Sequence, residues 1–229
     1  MMPSLARRAI AEMYGTFALV FFGCGAIVMD SFPGGRYATF GIALVFAITL
    51  SVAISATMHI SGGHLNPAVT AGLLVARRIG MVDAFVYIVA QLAAACLAIV
   101  ALKAIIPQSV GNLVMWGTPM ISGRVTFQQA IALEAIMTFF LVGAVMGTAV
   151  AKNAPKIGGF GIGLTVFFGI MISAPLTGGA MNPARAFGPA VMSGNLTGHA
   201  AYWIGPLLGG IIAAALWGYV LLKDEAATE

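Results

Sequence analysis

Charged side chains are what this sequence has least of. Asp, Glu, Lys and Arg make up 8% of its 229 residues, where a soluble domain carries roughly 25%. Eleven Lys and Arg with seven Asp and Glu cannot coat a water-facing surface of this size. Cysteine is nearly absent: Cys24 and Cys96 both fall inside apolar runs, which sets aside a disulfide framework and reads as packing. The long apolar runs also lack the strict alternation of a β-barrel with a lumen face and a lipid face. No basic stripe interleaved with aromatics accompanies the net charge of +4, so nucleic acid is not an expected partner. No nucleophile–base pair and no metal-ligand spacing points to an enzyme, and neither metal nor cofactor is expected.

What remains is apolarity, 60% of the chain. Lipid tolerates only backbones that satisfy their own polar groups, and with barrels set aside the fold class is an all-α membrane protein. A span needs about 20 mostly apolar residues to cross a core roughly 30 Å thick. Such stretches lie near 7–29, 37–58, 82–105, 127–150, 157–175 and 200–222. Residues 1–8 followed by an apolar run have the look of a signal peptide. The run contains Glu12, continues to about Met29 and ends without a small-residue cleavage site, so it reads as the first span. Two further apolar pieces, 67–76 and 183–192, are too short to cross, since ten helical residues reach only about 15 Å.

The two halves repeat. Glu12, Thr16, Phe17, Leu19 and Val20 parallel Glu134, Thr138, Phe139, Leu141 and Val142. Ser61-Gly62-Gly63-His64-Leu65-Asn66-Pro67-Ala68 parallels Thr177-Gly178-Gly179-Ala180-Met181-Asn182-Pro183-Ala184. Three full spans per half, an odd number, force the second copy to insert upside down. The chain is therefore read as one channel domain, 1–229, with a first repeat of about 7–105 and a second of about 127–222. Basic residues near span ends set the orientation. Arg7, Arg8, Arg77, Arg78, Lys152, Lys156 and Lys223 share one side, against Arg36, Lys103 and Arg124 on the other. The larger group marks the cytoplasm, which places both termini inside and the longest polar connection, 107–123, outside.

Asn-Pro-Ala occurs twice, at Asn66-Pro67-Ala68 and Asn182-Pro183-Ala184. Each is a strong helix start, with Asn at the N-cap and Pro where a missing N–H costs nothing. One copy would mean little more than capping. Two copies in matching repeat positions, each opening a half-length helix after Gly-Gly, bring two helix N-termini together. Each offers about half a positive charge and free N–H donors, and each Asn amide can donate into the lumen. A water file there would accept from both sides, which interrupts a proton-conducting chain. The carbonyls of residues 59–65 and 175–181 are expected to supply acceptors along the path.

On these residues, and on Arg185 through Pro189 after the second motif, the sequence resembles the aquaporin (major intrinsic protein) family over essentially its whole length, prokaryotic water-channel members in particular. The resemblance implies an aquaporin-like inverted repeat of six transmembrane helices plus two re-entrant half-helices, one pore per subunit, and a homotetramer in the lipid bilayer of the plasma or inner membrane. It makes Arg185 the selectivity-filter arginine, with Phe46, Ile170 and Gly179 as the other filter positions. It makes Glu12 and Glu134 carboxylates that anchor the re-entrant loops by accepting backbone N–H bonds, in preference to a proton relay. Gly62, Gly63, His64, Gly178, Ala180 and Met181 become pore-lining, His64 at the inner vestibule. Water-selective members carry a His where this chain has Ile170, and Gly179 removes bulk. In this the filter is similar to certain archaeal and plant nodulin-type members, which adds glycerol, metalloid acids and hydrogen sulfide to water as candidate solutes. Ala186, where glycerol-type members have Asp, and Tyr202-Trp203 lean back towards water.

Two rivals share parts of this pattern. A secondary transporter also uses inverted repeats and broken helices, but needs a coupling-ion site, and the spans hold no Asp or Lys at mid-depth. A structural junction protein would need an occluding side chain at the filter, and Phe46, Ile170 and Gly179 leave room.

Overall fold

The computed structural model describes residues 3–32, 34–35, 37–155 and 157–223. Two residues in the orientation count, Arg36 and Lys156, lie outside them. Six helices among the described residues are long and apolar enough to cross a membrane. They are α1 (Leu5–Asp30), α2 (Ala38–Ser61), α4 (Met81–Ile105), α6 (Phe127–Val145), α7 (Phe160–Thr177) and α9 (Ala201–Leu216). Each of α6 and α9 loosens into a wider final turn, Met146–Val150 and Trp217–Leu221. Between them sit two short helices, α3 (Pro67–Val75) and α8 (Pro183–Ser193), of 9 and 11 residues. A four-residue α5 (Gln108–Gly111) follows α4.

The half-helices begin where their caps dictate. The Asn66 side-chain oxygen accepts from Ala68 N at 2.8 Å, and that of Asn182 accepts from Ala184 N at 2.9 Å and Arg185 N at 3.2 Å. Proline supplies N1 in both. The helices before them end alike, because Gly62 and Gly178 take the left-handed conformation (φ 91° and 79°) that closes a C-terminus.

Those glycine caps correct one expectation. Residues 59–61 and 175–177 stay helical, and the carbonyls of Ser61, Leu176 and Thr177 accept from Tyr87, Ser122 N and Tyr202, so the irregular acceptor backbone shrinks to 62–65 and 178–181. The connection 107–123 also differs from a plain polar loop. It folds inward through three successive left-handed residues, Met115, Trp116 and Gly117 (φ 47°, 57° and 81°), and Trp116 is 1% exposed.

Packing follows the repeat. Helix α1 packs on α2 and α4 as α6 packs on α7 and α9, and α2 meets α7 across the middle. Each half-helix packs against the last span of the other half, α3 on α9 and α8 on α4. Glycine permits this closeness: a methyl on Gly72 would lie 2.9 Å from the Gly210 carbonyl oxygen, and one on Gly205 2.7 Å from that of Ile131. Large apolar side chains such as Ile48, Val52, Phe85 and Ile172 cover the outer faces, suited to lipid. The charged groups Glu12, Glu134 and Arg185 are buried inside.

Candidate functional site

The N-termini of α3 and α8 meet and lock each other. Asn66 Nδ2 donates to the Met181 carbonyl at 2.9 Å, and Asn182 Nδ2 donates to the Leu65 carbonyl at 2.8 Å. Each amide thus spends one N–H on the opposite loop and retains one. Leu65 and Met181, the residues before the asparagines, hold left-handed φ of 52° and 51°. That conformation costs a non-glycine residue on the order of 1–3 kcal/mol and persists only where the surroundings enforce it.

The enforcement comes from the two buried carboxylates. Glu12 accepts from Ser61 Oγ (2.6 Å), His64 N (2.9 Å), Leu65 N (2.6 Å) and Gln91 Nε2 (2.8 Å). Glu134 accepts from Thr177 Oγ1 (2.6 Å), Ala180 N (3.1 Å) and Met181 N (2.7 Å). Tyr87 and Tyr202 close the same turns by donating to the Ser61 and Thr177 carbonyls at 2.9 and 2.8 Å. With the N–H groups taken by the carboxylates, no described residue donates to the carbonyls of Gly62, Gly63, His64, Gly178, Gly179 or Ala180. They remain acceptors, as irregular backbone at membrane depth requires only where it lines a cavity.

That cavity is a narrow lumen with about 30 Å³ open to water. Asn66, Asn182, His64, Ala180, Met181, Phe46, Ile170, Gly179 and Arg185 all line it. At one end it shares Phe46, Ile170 and Arg185 with a vestibule of about 390 Å³, which Gly178 also borders. At the other it shares His64 with a vestibule of about 770 Å³, bordered by Gly62, Arg8 and Asp83. Gly63 stands back from the lumen, against Thr57 and Ile54.

Arg185 is 2% exposed. Its Cζ lies 4.8 Å from the centre of the Phe46 ring, and its Nη1 donates to the Gly117 carbonyl at 2.9 Å, with Cys24 Sγ 3.7 Å away. Its Nε has no partner, and among the described residues no carboxylate comes within ion-pair distance of it. The positive charge is therefore held by the Gly117 carbonyl, the Cys24 sulfur and the Phe46 ring, without a carboxylate to neutralise it, and acts on the lumen. Ile170 forms an apolar wall. A side chain at Gly179 (φ 59°) would be strained and would press on Ser173 and Ile170. His64 at the other end is fixed by Thr70, Nδ1 to Oγ1 at 3.1 Å, with the Tyr87 ring edge-on to it.

Sequence reasoning missed the Gly117 carbonyl, Gln91, Thr70 and the structural role of Tyr87, and read Cys24 as mere packing. Tyr87 and Tyr202 follow their motif asparagines by 21 and 20 residues, a regularity that pairing the repeats further along the chain would have exposed. The left-handed turn that delivers Gly117 has no such signal.

The profile of the family described as Major intrinsic protein matches residues 2–217. Probable aquaporin TIP3-2 of Arabidopsis thaliana is 37% identical over 238 residues, covering 97% of this chain and 86% of that protein. Nodulin-26 of Glycine max is 35% identical over 224 residues, covering 97% and 81%. The X-ray structure of the aquaglyceroporin from Plasmodium falciparum shares the fold, with a TM-score of 0.81 at 22% identity over 98% of this chain and 100% of that one. Six apolar spans, two half-helices meeting at an asparagine pair, and these relatives agree: the chain belongs to the major intrinsic protein family and is a transmembrane channel protein of the aquaporin type.

Proposed function

We propose that the chain is a passive, single-file channel for water and small uncharged solutes that excludes protons and ions. The observation that carries this reading is the buried Arg185 guanidinium, unpaired with any described carboxylate, beside a narrow lumen that the two motif asparagines also line. A cation there meets the arginine and the positive ends of α3 and α8, each worth about half a charge. A water in the centre is offered one N–H from each asparagine. Accepting from both leaves it donating outwards in both directions, so no continuous donor chain runs through the site. On this reading Phe46, Ile170, Gly179 and Arg185 form the filter, Glu12 and Glu134 anchor the loops, and the carbonyls of 62–64 and 178–180 receive the file's hydrogens.

Ile170 supports a solute range beyond water, since an apolar wall facing one cation suits glycerol, metalloid acids or hydrogen sulfide as well. The chain is proposed to sit in the plasma or inner membrane as a homotetramer, with both termini and the larger vestibule on the cytoplasmic side. The basic residues Arg7, Arg8, Arg77, Arg78 and Lys152 support that orientation. Stopped-flow light scattering on proteoliposomes, with sucrose, glycerol and boric acid as osmolytes, tests the reading. Water shrinkage should be fast with sucrose, followed by re-swelling with the two permeant solutes. Saturable flux that collapses with an uncoupler would favour a secondary transporter instead.

A further inference from the structure

From α2 to α8 the two repeats keep a constant offset, since 182 − 66 for the asparagines and 177 − 61 for the last residues of α7 and α2 both give 116. Carried through this offset, Phe46, Ile170, Gly179 and Arg185 map onto Ile162, Ile54, Gly63 and Val69. Ile54, Val69 and Ile162 line the same central lumen and are 2%, 3% and 2% exposed. The copy is geometric as well as sequential. A methyl on Gly179 would lie 2.8 Å from Ser173 Oγ and 3.2 Å from Ile170 Cα; one on Gly63 would lie 3.1 Å from Thr57 Oγ1 and 3.4 Å from Ile54 Cα. The two glycines share φ values of 59° and 62°.

We infer that Ile54, Val69 and Ile162 form a second constriction, an apolar ring on the His64 side of the asparagine pair, built by the same half-repeat geometry as the Arg185 constriction and lacking its charge. The inference rests on the channel reading above. None of the three side chains offers a donor or an acceptor, so a molecule at the ring keeps side bonds only to backbone and to its neighbours in the file. Such constrictions act by dewetting. The ring therefore limits water throughput and opposes hydrated ions independently of Arg185, and it favours small neutral solutes that lose little on dehydration.

The test is Val69→Thr, Ile54→Thr and Ile162→Thr in the full chain, reconstituted in proteoliposomes and checked for folding by gel filtration. Threonine adds one hydroxyl at the size of valine, so Val69→Thr is compared with wild type and the two isoleucine variants with Ile54→Val and Ile162→Val. Because the sites lie on three helices, any variant that folds decides the matter. Water permeability per protein should rise at least about threefold. Adding Arg185→Val should raise proton leak at least about tenfold above Arg185→Val alone. Folded threonine variants that conduct water no faster than those comparators overturn the ring. Wild-type vesicles no more permeable to water than protein-free ones would overturn the channel reading itself, and the ring with it.

Discussion

In the first repeat Glu12 accepts four hydrogen bonds, one of them from Gln91, while in the second Glu134 accepts three. Beside Glu12 the polar contacts continue, since Gln91 Nε2 also reaches Thr70 Oγ1 at 3.1 Å and Thr70 in turn meets His64. The offset of the repeats puts Ala186 in place of Thr70 and Ala180 in place of His64, so the second repeat has no such chain. It has Arg185 instead, where the first repeat has Val69. The scaffold is duplicated, but each copy carries a different chemical group at the lumen: a well-partnered polar cluster at one mouth and a cation without a carboxylate partner among the described residues at the other. A twofold-symmetric frame thus yields an asymmetric electrostatic profile, and the difference costs few residues.

The largest expected effect compares the two carboxylates. A buried donor left without its acceptor costs roughly 1–3 kcal/mol, so a set of three loses roughly 3–9 kcal/mol. Glu134→Ala should fall in that range, and Glu12→Ala should cost more, because it frees two backbone N–H groups and a hydroxyl and also leaves Gln91 with Thr70 as its one remaining described acceptor. Folded yield and denaturant titration in detergent would show this order. Normal stability with altered pH-dependence of transport would argue for a proton relay instead.

A smaller effect is expected at the filter wall. Ile170→His places an imidazole across from the guanidinium, at a position that tolerates a side chain, unlike the strained Gly179. Glycerol and boric acid flux should fall at least about tenfold while water stays within about threefold, as expected when a polar constriction is restored. Equal losses of both would mean that Ile170 does not discriminate. Least of all should the tyrosines differ. Tyr87→Phe and Tyr202→Phe each remove one hydrogen bond to a turn carbonyl, worth about 1 kcal/mol, and nearly equal destabilisation would mark the part of the scaffold that is truly duplicated.

Six spans, two half-helices and their inversion were legible in the sequence because lipid and capping impose their rules locally. Apolar run length and Asn-Pro after Gly-Gly need no tertiary context. The same local logic overran at residues 59–61 and 175–177, where helix persists until a glycine adopts a left-handed φ. The filter and motif residues that line the lumen followed from the resemblance and from fixed spacing to the motifs, whereas its apolar wall, with Leu50, Ile54, Val69 and Ile162, did not, and Gly63 stands outside it. What was not legible depends on contacts across the fold. The Asn66 and Asn182 amides bind each other's loops over more than a hundred residues of separation, and the Gly117 carbonyl reaches Arg185 through a turn of unusual backbone. No periodicity encodes either.

The central claim is that water passes while charge does not, and that Arg185 carries much of the difference. Water and proton permeability measured on the same proteoliposomes, for wild type and Arg185→Val, test it directly. Wild-type vesicles should shrink quickly in sucrose yet hold a pH gradient as well as protein-free vesicles. The variant should keep water flux within about tenfold and leak protons measurably faster. A wild type whose proton leak rises with its water flux, or a variant that holds the gradient as well as wild type, would contradict the account.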